Sequence, residues 1–167
     1  MSLVLVEKGL VTNSLVLTIN YDQVSLQSGF SGEITTDYYG RRVPKHAHGT
    51  INLDKYTSST HKINEAAMEL FDRIIDKSLL TRRINLTAEN VRREDDIPSS
   101  YKQISIFDLD DSADIKGKEE DEKERALQEA VLEIKHKFGK NALLKVKNLE
   151  EGATAKDRNN QIGGHRA

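Results

Sequence analysis

Apolar and polar positions alternate along Leu15-Val16-Leu17-Thr18-Ile19-Asn20-Tyr21, the period-two pattern of a strand with one buried face. Thr50-Ile51-Asn52-Leu53-Asp54 and Arg83-Ile84-Asn85-Leu86-Thr87-Ala88-Glu89 repeat it. Between these two strands the period changes. Ile63, Ala67, Leu70, Phe71, Ile74 and Ile75 form one helical stripe within a helix expected over Lys62–Lys77, with Thr60 as a candidate cap. The pattern predicts an α+β domain in which the apolar faces of three strands pack on that helix. The other sheet face then carries Thr18, Asn20, Thr50, Asn52, Arg83, Asn85 and Thr87. Short hydroxyls and amides of this kind donate to phosphate oxygens at little desolvation cost, and they also suit the plain solvated face of an antiparallel sheet.

Residues 22–49 are a long insertion between strands, and such loops are functional or disordered. This one contains Tyr38-Tyr39-Gly40-Arg41-Arg42-Val43-Pro44-Lys45-His46, whose tyrosines and cations fit base stacking and phosphate contact. A twisted hairpin with a solubilising basic tip has the same composition. Beyond Arg93 the chain turns acidic, through Glu94-Asp95-Asp96 and again over Asp110–Glu124. Leu127, Val131, Ile134 and Phe138 then mark an amphipathic helix that stops at Gly139. The region from Asn148 onward has little to bury and reads as a mobile tail. The boundaries expected are a domain over 4–93, an acidic linker over 94–121, the helix and a short extension over 122–147, and the tail over 148–167.

Charge reinforces this division. Residues 1–92 hold 11 Lys/Arg against 10 Asp/Glu, residues 93–124 hold 5 against 12, and residues 125–167 hold 9 against 5. The net −2 therefore averages segments of +1, −7 and +4 and says nothing about partners. The absence of cysteine excludes disulfides and thiolate metal sites and suits a reducing cytoplasm. No apolar run is long enough to span a membrane.

Candidate chemistry is sparse. His46-x-His48 with His61 lacks a third ligand at recognisable spacing, and the acidic pairs Asp110-Asp111 and Glu119-Glu120-Asp121 fit solvated charge as well as a hard cation. No Walker loop, dinucleotide fingerprint, nucleophile elbow or zincin motif is present, so neither catalytic nor metal-binding residues are assigned. The linker does hold one short motif, Gln103-Ile104-Ser105-Ile106-Phe107. Glutamine, a small polar residue and an aliphatic–phenylalanine pair match the bacterial sliding-clamp-binding pattern. Ile106 and Phe107 would fill an apolar groove and Gln103 would supply directional hydrogen bonds beside it, with Ser105 as the small polar residue of the clamp-binding segment. A short edge strand using Ile104, Ile106 and Phe107 as core is the alternative.

The blocks Gly9–Leu15, Tyr39-Gly40-Arg41-Arg42, His48–Leu53, Gly139–Lys145, Asn148–Thr154 and Asn160–His165, in that order, resemble the C-terminal, little-finger region of Y-family translesion DNA polymerases, in the UmuC/ImpB/MucB/SamB-like group of Gram-positive bacteria. The resemblance implies a truncated little finger that grips primer–template or duplex DNA by its backbone, through Arg41, Arg42, Lys45, Thr50, Asn52 and Arg83. It implies a parent that uses magnesium in a palm domain not represented here, so that this piece is no enzyme and holds no cofactor. It also implies a first strand and helix that would precede Gly9 and are missing. Their loss would leave apolar surface and sheet edges open to self-association into a homo-oligomer. Two other functions stay in view: a non-catalytic protein-interaction adaptor that binds only through the linker motif and C-terminal helix, and a small metal-dependent hydrolase built around the histidines.

Overall fold

The computed structural model describes residues 1–97, 112–162 and 165–166. The chain divides into two units, Met1–Gln103 and Ile104–Ala167. In the first, helix α1 (Ser2–Glu7) leads into the long strand β1 (Leu10–Tyr21). Strands β2 (Ile34–Thr36), β3 (Arg42–Pro44) and β4 (Ala47–Thr57) follow, then helix α2 (Thr60–Ile74), β5 (Thr81–Glu89) and the two-residue β6 (Arg92–Arg93). The expected α+β architecture is present. β1 lies between β4 and β5, antiparallel to both, β6 pairs with Leu10 and Val11, and β2 and β3 form a separate hairpin.

β1 takes the centre because its alternate residues are the most apolar. Leu15, Leu17, Ile19 and Tyr21 are buried against the helices, whereas the matching positions of the outer strands, Ile51, Leu53, Leu86 and Ala88, are only partly covered. Leu17 lies opposite Gly49 and Leu86, and Ile19 opposite Ala47 and Ile84. A one-residue slip would turn this whole set to solvent, so the core pins the register. Near the start of β1 a bulge separates Thr12 from Ser14; the buried Thr12 hydroxyl donates to the Ser14 carbonyl at 2.9 Å and also to the Glu89 carbonyl.

α2 packs Ile63, Ala66 and Leu70 onto this face. Ala66 takes the place expected of Ala67, which sits at the margin. The cap differs too: the Ser59 hydroxyl accepts from the Lys62 N–H at 3.2 Å, while the Thr60 hydroxyl meets that of Ser2 at 2.9 Å. The helix stops at Ile74, before Lys77, because Ile75 turns extended and a side-chain-supported turn takes over. There the Asp76 N–H donates to the Tyr21 hydroxyl at 2.8 Å and the Asp76 carboxylate accepts from the Ser78 N–H and hydroxyl.

A helix does precede Gly9, contrary to the expectation from resemblance. α1 buries Leu5 and Val6, and Leu5 joins Leu15, Ile63 and Ala66 in the core, so both helices cover the same sheet face.

Gly49 sets how closely α2 approaches β4. A Cβ there would stand 3.0 Å from Leu70 Cδ1 and from Ile74 Cγ2. Gly49→Val is accordingly expected to destabilise the fold by about 1–3 kcal/mol through overpacking. Chemical denaturation checks this, and an unchanged midpoint would show that α2 rides higher on the sheet.

The second unit is built on helix α3 (Ser112–Phe138), which ends at Gly139 as its sequence suggests; the glycine has φ +91° and its N–H bonds to the Lys135 carbonyl. The helix starts well inside the stretch read as acidic linker. Acidic residues favour the N-terminal end of a helix, where the backbone dipole is positive, and Glu and Lys are good helix formers. Its covered side runs through Gln128, while Leu127 and Phe138 stay 65% and 66% exposed. The segment read as a tail carries a 3₁₀ turn (Val146–Leu149), helix α4 (Ala155–Asn159) and the paired strands β7 (Gln161–Ile162) and β8 (His165–Arg166). The Asn141 amide binds both Asn159 and Asn160, at 2.8 and 2.9 Å. Among the described residues, no helix is long and apolar enough to cross a membrane.

Candidate nucleic-acid interface

Both helices sit on one side of the sheet, so the other side shows its side chains outward in cross-strand rows. The register aligns Asn52, Ser14 and Glu89 in one row, Thr50, Val16 and Thr87 in the next, and His48, Thr18 and Asn85 in a third. Asn20 stands opposite Arg83 at the end of the series. Neighbouring strands lie about 4.8 Å apart and like-facing residues about 6.8 Å apart along a strand, so the rows form a lattice of short polar groups. Thr50, Asn52, Thr87 and His48 are exposed, and Thr18 Oγ1 and His48 Nδ1 lie 3.0 Å apart. All seven polar residues assigned to this face by alternation do share it.

The face has an electrical direction. Glu89 and Asp54 lie toward one end and Arg83 at the other. The Arg83 end is also where β1 finishes and β4 begins, so the β2–β3 hairpin, inserted between Tyr21 and Ala47, springs from it. Antiparallel topology thereby brings Arg83 to the same end of the sheet as the segment holding Arg41, Arg42 and Lys45. Asn52 sits in the row beside Glu89, the poorest place for an anion.

The hairpin cations are not equivalent. At its tip Asp37 organises the turn: its carboxylate accepts from the N–H groups of Tyr39 and Arg41 at 2.9 and 3.0 Å, and from Arg41 Nε and Nη2 at 2.9 and 2.6 Å. The Gly40 N–H closes the turn on the Asp37 carbonyl at 3.0 Å, with Gly40 at φ +77°, a region glycine reaches without a Cβ clash. The Arg41 guanidinium and these N–H groups hold the Asp37 carboxyl below the usual carboxylate range. A depressed carboxylate pKa stabilises the turn above the ordinary value of about 4 and ceases to do so as pH falls through the lowered one. The clasp is therefore complete at neutral pH. Arg41 is thus already paired, and it also lies 5.0 Å from the Tyr39 ring centroid. Lys45 pairs with Glu33 at 2.8 Å, an exposed bridge of little strength. Arg42 and Arg83 are exposed and have no acidic partner among the described residues.

His48, weighed from the sequence only as a metal ligand, belongs to this face as well; its shared parity with Thr50 and Asn52 was the available signal. It faces Thr18, while His61 lies on α2 beside Glu65, so the three histidines do not assemble. Among the described residues, no three His, Cys, Asp or Glu side chains come together to hold a metal ion. Gln103, Ser105, Ile106 and Phe107 lie outside the described residues.

No curated protein and no solved structure matches the chain. The model of the impB/mucB/samB family C-terminal domain matches residues 2–106, which take in the whole sheet, both of its helices and the hairpin. By that match, over more than half of its length, the chain belongs to the impB/mucB/samB family of UmuC-like proteins and carries the family's C-terminal domain.

Proposed function

We propose that this chain is the DNA- and clamp-binding C-terminal part of an error-prone translesion polymerase, acting in DNA repair and damage tolerance in the bacterial cytoplasm. The observation that carries the DNA reading is the uncovered polar sheet face with its cationic, hairpin-bearing end. Neutral hydroxyls and amides follow a phosphate backbone without reading sequence, and Arg42 and Arg83 supply the charge. Lys45 and Arg41 contribute only as they release Glu33 and Asp37. Thr50 is well placed and Asn52 less so. Such a face grips duplex or primer–template DNA and leaves base pairing to the polymerase.

The test is fluorescence anisotropy with short duplexes of unrelated sequence across a salt series. Arg42→Ala with Arg83→Ala is expected to weaken binding equally on every duplex and to flatten the log–log salt slope by about two units, near 0.9 per lost phosphate contact. Unchanged affinity and slope would remove the interface from this face.

One observation favours the adaptor alternative: Leu127 and Phe138 expose apolar side chains on α3, as a partner-binding helix does. Salt-insensitive failure to bind any DNA would select it. Self-association is supported by the outer edge of β5, which pairs with no strand among the described residues. Light scattering is expected to show a dimer or larger species at high concentration, and a monomer throughout would end that part of the proposal.

A further inference from the structure

We infer that the β2–β3 hairpin tip is a stacking platform for an unpaired nucleobase, formed by Tyr38 and Tyr39. The inference rests on the DNA-binding reading above and adds to it a preference for strands with bases out of the duplex. Tyr38 is 96% exposed and Tyr39 77% exposed, side by side at the end of a protruding turn. Two neighbouring rings in water are an unusual choice for a loop that only has to be soluble. The tip is also built with more care than solubility requires. The Asp37 carboxylate gathers two backbone N–H groups and the Arg41 guanidinium, fixing the residues on both sides of the tyrosines. The two rings meet edge to face at 5.4 Å, and the guanidinium stands 5.0 Å from the Tyr39 ring. A turn whose backbone is already fixed has less entropy to lose when a flat ligand settles on the rings it carries.

Charge decides which flat ligand. Arg41 is neutralised by Asp37, but Arg42 follows it directly with no acidic partner among the described residues. An aromatic surface flanked by a cation suits a base attached to a phosphodiester, where stacking and backbone attraction act together. Bases inside a duplex are stacked on each other and show no face, so the platform engages only a base that is unpaired. A hydrophobic protein pocket would accept the same rings but has no use for the adjacent cation.

The experiment measures binding of the full chain at fixed salt and neutral pH to three probes. They are a blunt duplex, the same duplex with a single-stranded extension of about six nucleotides, and that extension made of abasic sites. The extended probe is expected to bind about tenfold more tightly than the blunt one, a difference of about 1.4 kcal/mol. The abasic extension should lose that gain, because it keeps the phosphates and lacks the rings. Tyr38→Ala with Tyr39→Ala should abolish the preference and leave blunt-duplex affinity within about twofold, while Tyr38→Phe with Tyr39→Phe retains it, since stacking needs the ring and not the hydroxyl. Equal wild-type affinity for blunt and extended probes overturns the inference. So does an alanine variant that keeps the preference, and binding of all three probes unaltered by the alanines would assign the tip to a protein contact. The blunt duplex reads the DNA-binding proposal by itself: loss of salt-dependent binding there defeats both, whereas intact duplex binding without a preference defeats the platform alone.

Discussion

Leu70→Ala is expected to lower the melting temperature of the first unit by at least about 10 °C. Leu70 is fully buried and packs with Leu17, Ile19 and Tyr21, so it is where α2 grips the central strand. Truncating a buried leucine removes its transfer free energy and leaves a cavity, costing about 2–5 kcal/mol. Few side chains share the load, since among the described residues only ten aliphatic and aromatic residues, with Pro44 besides, are buried. In a domain of this size each kcal/mol moves the melting temperature by roughly 4–8 °C. The β1 face that Leu70 covers is also the reverse side of the proposed DNA surface, so salt-dependent DNA binding should disappear at the same temperature as the far-UV signal. A shift below about 3 °C would mean that the sheet does not depend on α2, and the account of this core would have to be abandoned.

Phe107→Ala is expected to weaken binding to the bacterial sliding clamp by about tenfold or more while leaving the melting temperature unchanged. The proposal rests on the sequence Gln103-Ile104-Ser105-Ile106-Phe107, flanked by acidic stretches on both sides. A short segment ordered on binding reaches roughly micromolar affinity, about 8 kcal/mol, and the apolar anchors carry most of it. Burying one phenylalanine side chain is worth about 1.5–3 kcal/mol, which is the tenfold or greater loss. Ile106→Ala should act in the same direction, and Gln103→Ala should act through lost orientation. Tethering by this segment would raise the polymerase's local concentration at the primer end without any new contact to DNA. Calorimetry of the full chain against the clamp gives the affinity, and a thermal melt gives the control. Intact clamp binding in the variant, or a steep fall in its melting temperature, would show that Phe107 belongs to a core strand.

Period-two alternation was enough to identify the three long strands of the sheet, to separate their apolar from their polar faces and to place one helix between the second and third. Thr18, Thr50, Asn85 and Thr87 all lie on the face that alternation assigned them, because strand geometry sends successive side chains to opposite sides whatever surrounds them. The glycine stop of α3 was equally local, since a left-handed residue ends a helix without help from tertiary contacts. Helix α1 escaped notice because six residues are too short for a periodic signal, and its existence depends on burying Leu5 against Leu15 and Ile63. The end of α2 depended on Tyr21, distant in sequence, whose hydroxyl takes the Asp76 N–H.

For the candidate site, sequence supplied the residue types and the fold supplied their arrangement and availability. Nothing local to Arg83 and Arg42 relates them; the antiparallel order β4–β1–β5 puts Arg83 at the end of the sheet from which the hairpin carrying Arg42 springs. Composition likewise treats Arg41, Arg42 and Lys45 alike, yet Asp37 and Glu33 engage two of them and leave Arg42 available. A sequence determines which groups a chain carries and, through backbone periodicity, which way each one faces. Which charges are spent on one another is decided only when folding sets carboxylate and guanidinium within hydrogen-bonding distance, because that attraction is short in range and depends on geometry.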